Sequence, residues 1–280
     1  MPPGRTQPVC GNDRGRRVSV YDLALFSLNI RFGLADDGPD SWRHRRHFFP
    51  VLLKRYPADF YAFQEVNDFQ AEDLQAMLAG YRCIGQRKPA PACWQSNLIF
   101  YHPRWRCTEK YHFYLSPTPD IPSRFEESKW PRQCTIGIFN HDSLWVVCVN
   151  THFDFAETVQ EKSARLIRTR LSTLSVTEPA IIMGDFNTSP DGHCYPIFTR
   201  SGPAGKAAAS KDESPFKNIF QPPFPATHHG FTGKADEGPI DWILYRGPIV
   251  PVERQVVRDA FDGHYPSDHF PLWVRFRWIH

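Results

Sequence analysis

Asp185 and Asn187 stand two residues apart, just beyond the apolar run at 180–183 (AIIM) and Gly184. In extended backbone a spacing of two points both side chains the same way. A carboxylate and an amide therefore sit where a buried strand runs out to solvent. The same arrangement recurs along the chain. Asn29 ends the apolar stretch 21–31, and Glu65 ends the stretch 58–65. Asn150, His152 and Asp154, again two apart, end the stretch 143–152. Asp241 opens the run 240–245, and Asp268 and His269 stand at the head of the last apolar run, 269–278. Taken singly, each has an ordinary structural role open to it, as a turn residue, a surface charge or a packed histidine. Taken together, they are apolar strands that carry acids, amides and histidines at one rim, which is how α/β proteins build active sites.

The chemistry these types point to is metal-assisted attack by water. Glu65, Asn29 and Asp268 are hard oxygen donors of the kind Mg²⁺ takes, with Mn²⁺ as the alternative. A metal held there would polarise a phosphoryl oxygen. Asp185 is placed to orient and deprotonate the water. His152 and His269 are candidate donors to the charge that develops in the transition state. Asp241, beside His269, would fix its tautomer and favour the imidazolium. Arg132, Asn150 and Arg31 are expected to contact substrate, with Arg132 as a phosphate clamp. Other chemistries lack their motifs, because the chain has no HExxH, no Cys/His quartet, no GxSxG elbow and no P-loop.

Positioning these residues takes many short elements. The 280 residues include 26 prolines and 14% aromatics, which suit short strands joined by turns around a sizeable core. Strands are expected at 21–31, 58–65, 81–86, 96–101, 105–114, 133–140, 143–152, 180–183, 240–245 and 269–278. Helices are expected at 42–55, interrupted at Pro50, at 68–79 with Asp68 as cap, and at 157–174. Hairpins mixed with strand–helix–strand units imply a mixed sheet, or two sheets packed together with helices outside. The loops near Arg87-Lys88 and Lys129–Arg132 are candidate recognition elements, and the Gly/Ala/Pro-rich stretch 201–215 reads as mobile.

A net charge of +3 is too small to argue for nucleic acid by itself. Residues 1–18 read as a disordered polar leader without a signal-peptide core, and 19–280 as one catalytic domain. No run is long enough to span a membrane. The seven cysteines are odd in number and include no CxxC pair. They read as reduced thiols, which with the missing signal places the protein in the cytoplasm.

The segments SLNIR, FQEV, VNTHFD, GDFN, IDWILY and SDHFP occur in the order found in the endonuclease/exonuclease/phosphatase superfamily, and the chain resembles it from Asn29 to Phe270. The Asp-Gly-Pro before Trp42, the paired arginines, Trp130-Pro131-Arg132 and Tyr265–His269 look like a bacterial branch, broadly similar to the deadenylase and nocturnin groups. The resemblance implies a DNase I-like four-layer α/β/β/α sandwich of two mixed, mostly antiparallel sheets. It matches Glu65 to the main Mg²⁺ carboxylate and Asn29 to the amide of the first strand. Asp185 and Asn187 match the water-activating acid and its partner, and Asp241 the acid paired with the last histidine. Asp268 and His269 match the closing pair. Whether the base is the Asp or a His stays open. Arg31 stands where abasic-site endonucleases carry an Asp, and His152 where they carry a Tyr, which argues against that activity and against a second metal. The expected function is Mg²⁺-dependent hydrolysis of a phosphate ester, with a nuclease as the lead reading and a phosphatase of small esters as the alternative.

Overall fold

The computed structural model describes residues 23–86, 91, 93–175, 179–201, 214–235 and 238–279. The expected leader, Arg87-Lys88 and most of 201–215 lie outside the described residues. Among the described residues, twelve strands form two six-stranded sheets. The first contains β1 (Leu23–Asn29), β2 (Phe60–Val66), β3 (Arg82–Ile84), β4 (Ser96–Tyr101), β11 (Ile249–Val256) and β12 (Leu272–Trp278), in the order β11-β12-β1-β2-β4-β3. The second contains β5 (Arg106–Tyr114), β6 (Gln133–His141), β7 (Leu144–His152), β8 (Ala180–Asp185), β9 (Lys217–Asn218) and β10 (Asp241–Arg246), in the order β5-β6-β7-β8-β10-β9.

Each sheet has one parallel pair at its heart, β1 with β2 and β7 with β8, and the other neighbours run antiparallel. A parallel pair needs a crossover connection, normally helical. The first crossover is the interrupted helix α1 (Trp42–Arg45) and α2 (Phe49–Arg55), with Pro50 in the first turn of α2. The missing N–H of proline costs nothing there. The second is α4 (Glu157–Ser172). Helix α3 (Asp68–Met77) follows β2 and is capped by Asn67 rather than Asp68. The Asn67 side chain accepts the Gln70 N–H while Gln70 Oε1 accepts the Asn67 N–H, a reciprocal box that Asp68, one residue later, cannot close. Helix α5 is the short segment Tyr195–Thr199.

Pleat alternation divides the apolar residues among three cores. In β1, Leu23 and Leu25 face the second sheet, while Ala24, Phe26 and Leu28 face α1–α3. In β8, Ile181 and Met183 face the first sheet, while Ala180 and Ile182 face α4 and α5. Ala180, Ile181, Ile182 and Met183 are all fully buried, and each of the larger three contributes about 1.5–3 kcal/mol by burial. The result is the four-layer α/β/β/α sandwich the resemblance implied. Strands β9 and β11 and helix α5 were not expected from sequence, and β11 is the longest of them. It is an edge strand whose exposed residues include Glu253, Arg254 and Gln255, a composition that reads as loop. Among the described residues no helix is long and apolar enough to cross a membrane, and six cysteines are unpaired thiols.

Candidate active site

The parallel pairs bring the chemistry together. Strands β1, β2, β7 and β8 all end at the same rim, and β10 begins there. Asp185 lies opposite His152 across the parallel ladder and opposite Asp241 across the antiparallel one. Gly184 serves this register more than the turn: a Cβ there would sit 2.1 Å from the Thr151 carbonyl oxygen on β7. A register shift in β2 between Phe63 and Val66 re-aims Glu65, whose φ of 62° is costly for a residue with a side chain. Asn187 takes a similar conformation at φ 50° and turns its backbone N–H onto Asp185 Oδ1 at 2.8 Å.

Asp185 is the hub. Its Oδ2 accepts from Asn29 Nδ2 at 2.9 Å and lies 3.4 Å from His152 Nε2 and 3.9 Å from His269 Nε2. Burial, then the charge of Asp241, pushes its carboxyl up to about 7, against His269 and the donors Asn29 and Asn187. His269 Nδ1 is bonded to Asp241 Oδ2 at 2.8 Å. Burial opposes the imidazolium, but the Asp241 charge and hydrogen bond, with Asp268 and Asp185, hold its pKa well above the ordinary value. His152 is the opposite case. Burial first, then the charges of Arg132 and His269, push it well below the ordinary range. Arg132 Nη1 lies 3.0 Å from His152 Nδ1. A guanidinium only donates, so Nδ1 accepts and the neutral ring carries its proton on Nε2, which faces Asp185 Oδ2; Asn187 Nδ2, 3.0 Å from Nε2, spends a proton on the Phe153 carbonyl instead.

Glu65 Oε2 accepts the Phe32 N–H at 2.6 Å, and Oε1 lies 3.2 Å from Asn29 Nδ2 and 3.8 Å from His152 Nε2. Asp268 accepts from Ser267 Oγ at 3.1 Å and faces Arg31 Nη1 at 3.6 Å and His228 Nε2 at 4.0 Å. Burial raises its carboxyl, but His269, Arg31, His228 and Arg45 outweigh this and hold it below the usual range. Three overlapping groups can converge on an ion: Glu65, His152 and Asp185; Asp185, Asp241 and His269; and His228, Asp268 and His269. Two of these sets hold two carboxylates and one histidine and the third holds one carboxylate and two histidines, so the acids Glu65, Asp185, Asp241 and Asp268 are the hard oxygen donors a divalent cation would use.

Asn29, Glu65, His152, Asp185, Asn187, Asp241, Asp268 and His269 therefore meet at one rim as expected. Two roles change. Asn29 was expected as an oxygen ligand, but its Oδ1 accepts the Arg31 N–H at 2.9 Å while its amide nitrogen faces both Glu65 and Asp185. It is a donor that draws two carboxylates together. Asn150 was expected to contact substrate, but it is fully buried one pleat below His152. Its amide nitrogen donates to the Phe63 and Leu98 carbonyls, and its oxygen accepts from Gln64 Nε2 at 2.7 Å. It fastens the second sheet to the first. Arg31 is at the rim, clamped in a two-point bond to Asp37 at 2.8 and 3.0 Å. Arg132 is at the rim too, but one end of it is committed to His152.

Sequence reading missed Arg45 and His228. Arg45 is buried and donates to the carbonyls of Ile30 at 2.6 Å, Pro266 at 2.8 Å, Asp40 at 2.8 Å and Arg31 at 3.2 Å. It ties the loop after Asn29 to the loop before Asp268. Burial lowers its pKa to about 10, so it stays charged. The doublet His228-His229 was the available signal for the other. His228 reaches Asp268, while His229 is buried and stacks on Phe270 at 3.9 Å.

A cleft of about 620 Å³ opens beside Glu65. Its walls include Phe32, Trp94, Trp130 and Phe155, with Gln95 and the cations Arg31, Lys129 and Arg132. Lys129 Nζ lies 5.5 Å from the Trp130 ring centroid and the Arg132 guanidinium 5.7 Å from that of Phe155.

The endonuclease/exonuclease/phosphatase family model matches residues 26–269. No curated protein matches significantly. Among solved structures, an endonuclease/exonuclease/phosphatase family protein from Bacteroides thetaiotaomicron is 25% identical, with a TM-score of 0.78 over 91% of this chain and 97% of that one. The mannosyl-6-phosphatase Bt3783 from Bacteroides thetaiotaomicron VPI-5482 is 24% identical, with a TM-score of 0.78 over 92% of this chain and 100% of that one. Danio rerio TDP2 complexed with a single-strand DNA product is 15% identical, with a TM-score of 0.66 over 91% of this chain and 98% of that one.

Proposed function

Because the chain belongs to the endonuclease/exonuclease/phosphatase family, and is a phosphoric ester hydrolase of that kind, we propose that it uses Mg²⁺ to hydrolyse an ester of nucleotide size, with Mn²⁺ as a substitute. The observation that carries this reading is the convergence on Asp185 of Asn29, His152 and His269, within 3.9 Å, with Glu65 beside them. Glu65 and Asp268 would hold the cation, with Asn29 keeping Glu65 in place. When bound, it supplies positive charge against the phosphoryl oxygens.

The protein's own residues do the rest. Water attacks phosphorus in line with the ester oxygen that leaves. Asp185 accepts the proton of that water, its carboxylate held by the Asn187 N–H and the Asn29 amide. His152 presents Nε2–H, and the His269 imidazolium presents its own Nε2–H, to the oxygens on which charge builds. Asp241 holds His269 in that orientation. Such donors act most strongly in a site already stripped of water, which the burial of this rim favours. The departing alcohol oxygen takes a proton from the imidazolium.

The cleft of about 620 Å³ beside Glu65 falls within the roughly 300–1,000 Å³ of small-ligand sites. That size supports a nucleotide-scale substrate, either a free ester or the end of a nucleic-acid strand. The mannosyl-6-phosphatase and the DNA-bound relative share the fold and do not choose between these.

The test is product release with Mg²⁺, with Mn²⁺ and with EDTA, from wild type and Glu65→Ala. Turnover should require the metal, and Glu65→Ala should lose it while keeping a wild-type circular dichroism spectrum. Equal turnover in EDTA, or full activity in Glu65→Ala, would remove the metal from the mechanism.

A further inference from the structure

The cleft beside Glu65 differs in kind from the rim. Trp130 is 53% exposed and Phe155 64% exposed, and both stand on loops. Phe32 and Trp94 complete the walls at partial burial. Large rings left in contact with water cost free energy until something covers them, and a concentration of them around one cavity marks a binding surface. The walls are held in place. Phe32 is fixed by its N–H on Glu65, and the Trp94 carbonyl accepts from Asn67 Nδ2 at 3.2 Å. Trp94 also packs edge-on against Tyr114 at 5.9 Å.

The lining chemistry selects the occupant. A sugar presents hydroxyls in several directions and needs acceptors and donors to match them. Among the described residues the one carboxylate in the lining is Glu65, which belongs to the reaction centre, and Gln95 supplies the one amide side chain. A flat unsaturated ring needs little polar matching. It can lie on indole and phenyl faces and use Gln95, which has both a donor and an acceptor, for its polar edge. The lining also carries the cations Arg31, Lys129 and Arg132, and the charge of Glu65 acts on Arg31 and Arg132, so the phosphate of the same molecule meets positive charge beside the rim.

We propose that this cleft is a subsite for the base of a nucleotide, with Trp130 and Phe155 as specificity-determining residues. The ring docks there while its phosphate reaches the rim. The proposal rests on the phosphohydrolase reading above for its orientation, but the ring subsite can be tested without turnover. The same ring chemistry could arrive on a free nucleotide or at the end of a single strand, and the substrates below separate these sources.

The experiment uses the full chain as wild type, Trp130→Ala, Phe155→Ala and Trp130→Phe. Steady-state hydrolysis is measured with Mg²⁺ on a nucleoside monophosphate, a short single-stranded oligonucleotide, mannose 6-phosphate and glycerol phosphate. Binding of the nucleoside monophosphate is measured separately by calorimetry in EDTA. Loss of one stacking face should raise KM for the base-bearing substrates about 10-fold more than for glycerol phosphate, with kcat changed far less. Trp130→Phe should recover most of that loss. In EDTA, nucleotide binding should weaken by a similar factor in Trp130→Ala and be restored in Trp130→Phe.

A preference for the monophosphate identifies a free nucleotide, and a preference for the oligonucleotide identifies a strand end. An equal penalty on glycerol phosphate and on the base-bearing substrates would overturn the proposal. So would mannose 6-phosphate as the substrate most sensitive to Trp130→Ala. If no substrate turns over, the hydrolase reading fails, and the EDTA binding result alone decides the subsite. Binding that depends on Trp130 keeps it, and binding that does not, or no binding, removes it.

Discussion

The rim and the cleft meet at Glu65, yet they are built from different material. The rim is made of strand ends. Asn29, His152, Asp185, Asp241, Asp268 and His269 are each at most 6% exposed, and each is fixed by hydrogen bonds or ion pairs to neighbours. The cleft is made of loops, and its most prominent rings, Trp130 and Phe155, are more than half exposed. Reaction chemistry needs charged groups desolvated and held at fixed distances before the substrate arrives. Recognition needs apolar area that stays uncovered until it arrives. The contrast separates two functions in space, so substitutions in the two regions should leave different kinetic signatures.

The sharpest break would come at the hub. Asp185→Asn keeps the shape of the side chain but removes the proton acceptor. We predict a fall in kcat of about 10³-fold, within the range for loss of general acid–base catalysis, and of similar size on every substrate that wild type hydrolyses. Parallel kcat measurements on a base-bearing ester and on glycerol phosphate check this. A loss confined to one of them would show that the hub takes part in recognition, and the division between rim and cleft would fail.

The same contrast explains what sequence reading reached. A polar residue at the end of an apolar run is visible as a change of type at one position, so Glu65, His152, Asp185 and Asp241 could be picked out one by one. The one parallel pair in each sheet, with β10 starting beside the end of β8, then puts those positions on one rim. Depth along a strand is not visible in this way. Asn150 and His152 share a face, as their spacing of two predicts, and both are buried, but only the packing of the second sheet on β2 and β4 reveals that Asn150 is spent on bonds between the sheets while His152 faces the Asp185 hub. The cleft was legible in one loop, Lys129–Arg132. Phe32, Trp94, Gln95 and Phe155 come from other segments that only the fold brings together. The amide of Asn29 could not be oriented from sequence, because the Arg31 N–H that takes its oxygen is set by a local turn with Arg31 at φ 63°.

Arg132 sits on the boundary and tests where the boundary runs. Its side chain lines the cleft, yet Nη1 holds His152 Nδ1 at 3.0 Å. If holding His152 is its main role, Arg132→Gln should lower kcat about 10- to 100-fold on base-bearing and simple esters alike, as loss of a positioning partner does. If its main role is to grip substrate, KM should rise and kcat should hold. Arg132→Lys separates the two further, since an ammonium can supply charge to a phosphate but not the planar fork that meets the imidazole. The kcat and KM split across these two variants assigns Arg132 to one region or to both.

The smallest effect on activity is expected from Asn150, and it is informative for that reason. Asn150 lies directly below the rim on the same face as His152, so a substrate-contacting role and a structural role predict opposite outcomes. Asn150→Ala removes the acceptor of Gln64 Nε2 and the donor to the carbonyls of Phe63 and Leu98, all in the dry space between the sheets. Each group left unsatisfied costs about 1–3 kcal/mol, and relaxation among the neighbours makes the total less than their sum. For a domain of this size each kcal/mol lowers Tm by about 2–4 °C. A drop of several degrees in a thermal melt is therefore expected, with kcat and KM close to wild type well below that Tm. A rise in KM for a base-bearing ester with no change in Tm would put Asn150 back among the substrate contacts, and would mean that the cleft reaches deeper between the sheets than the packing around Asn150 allows.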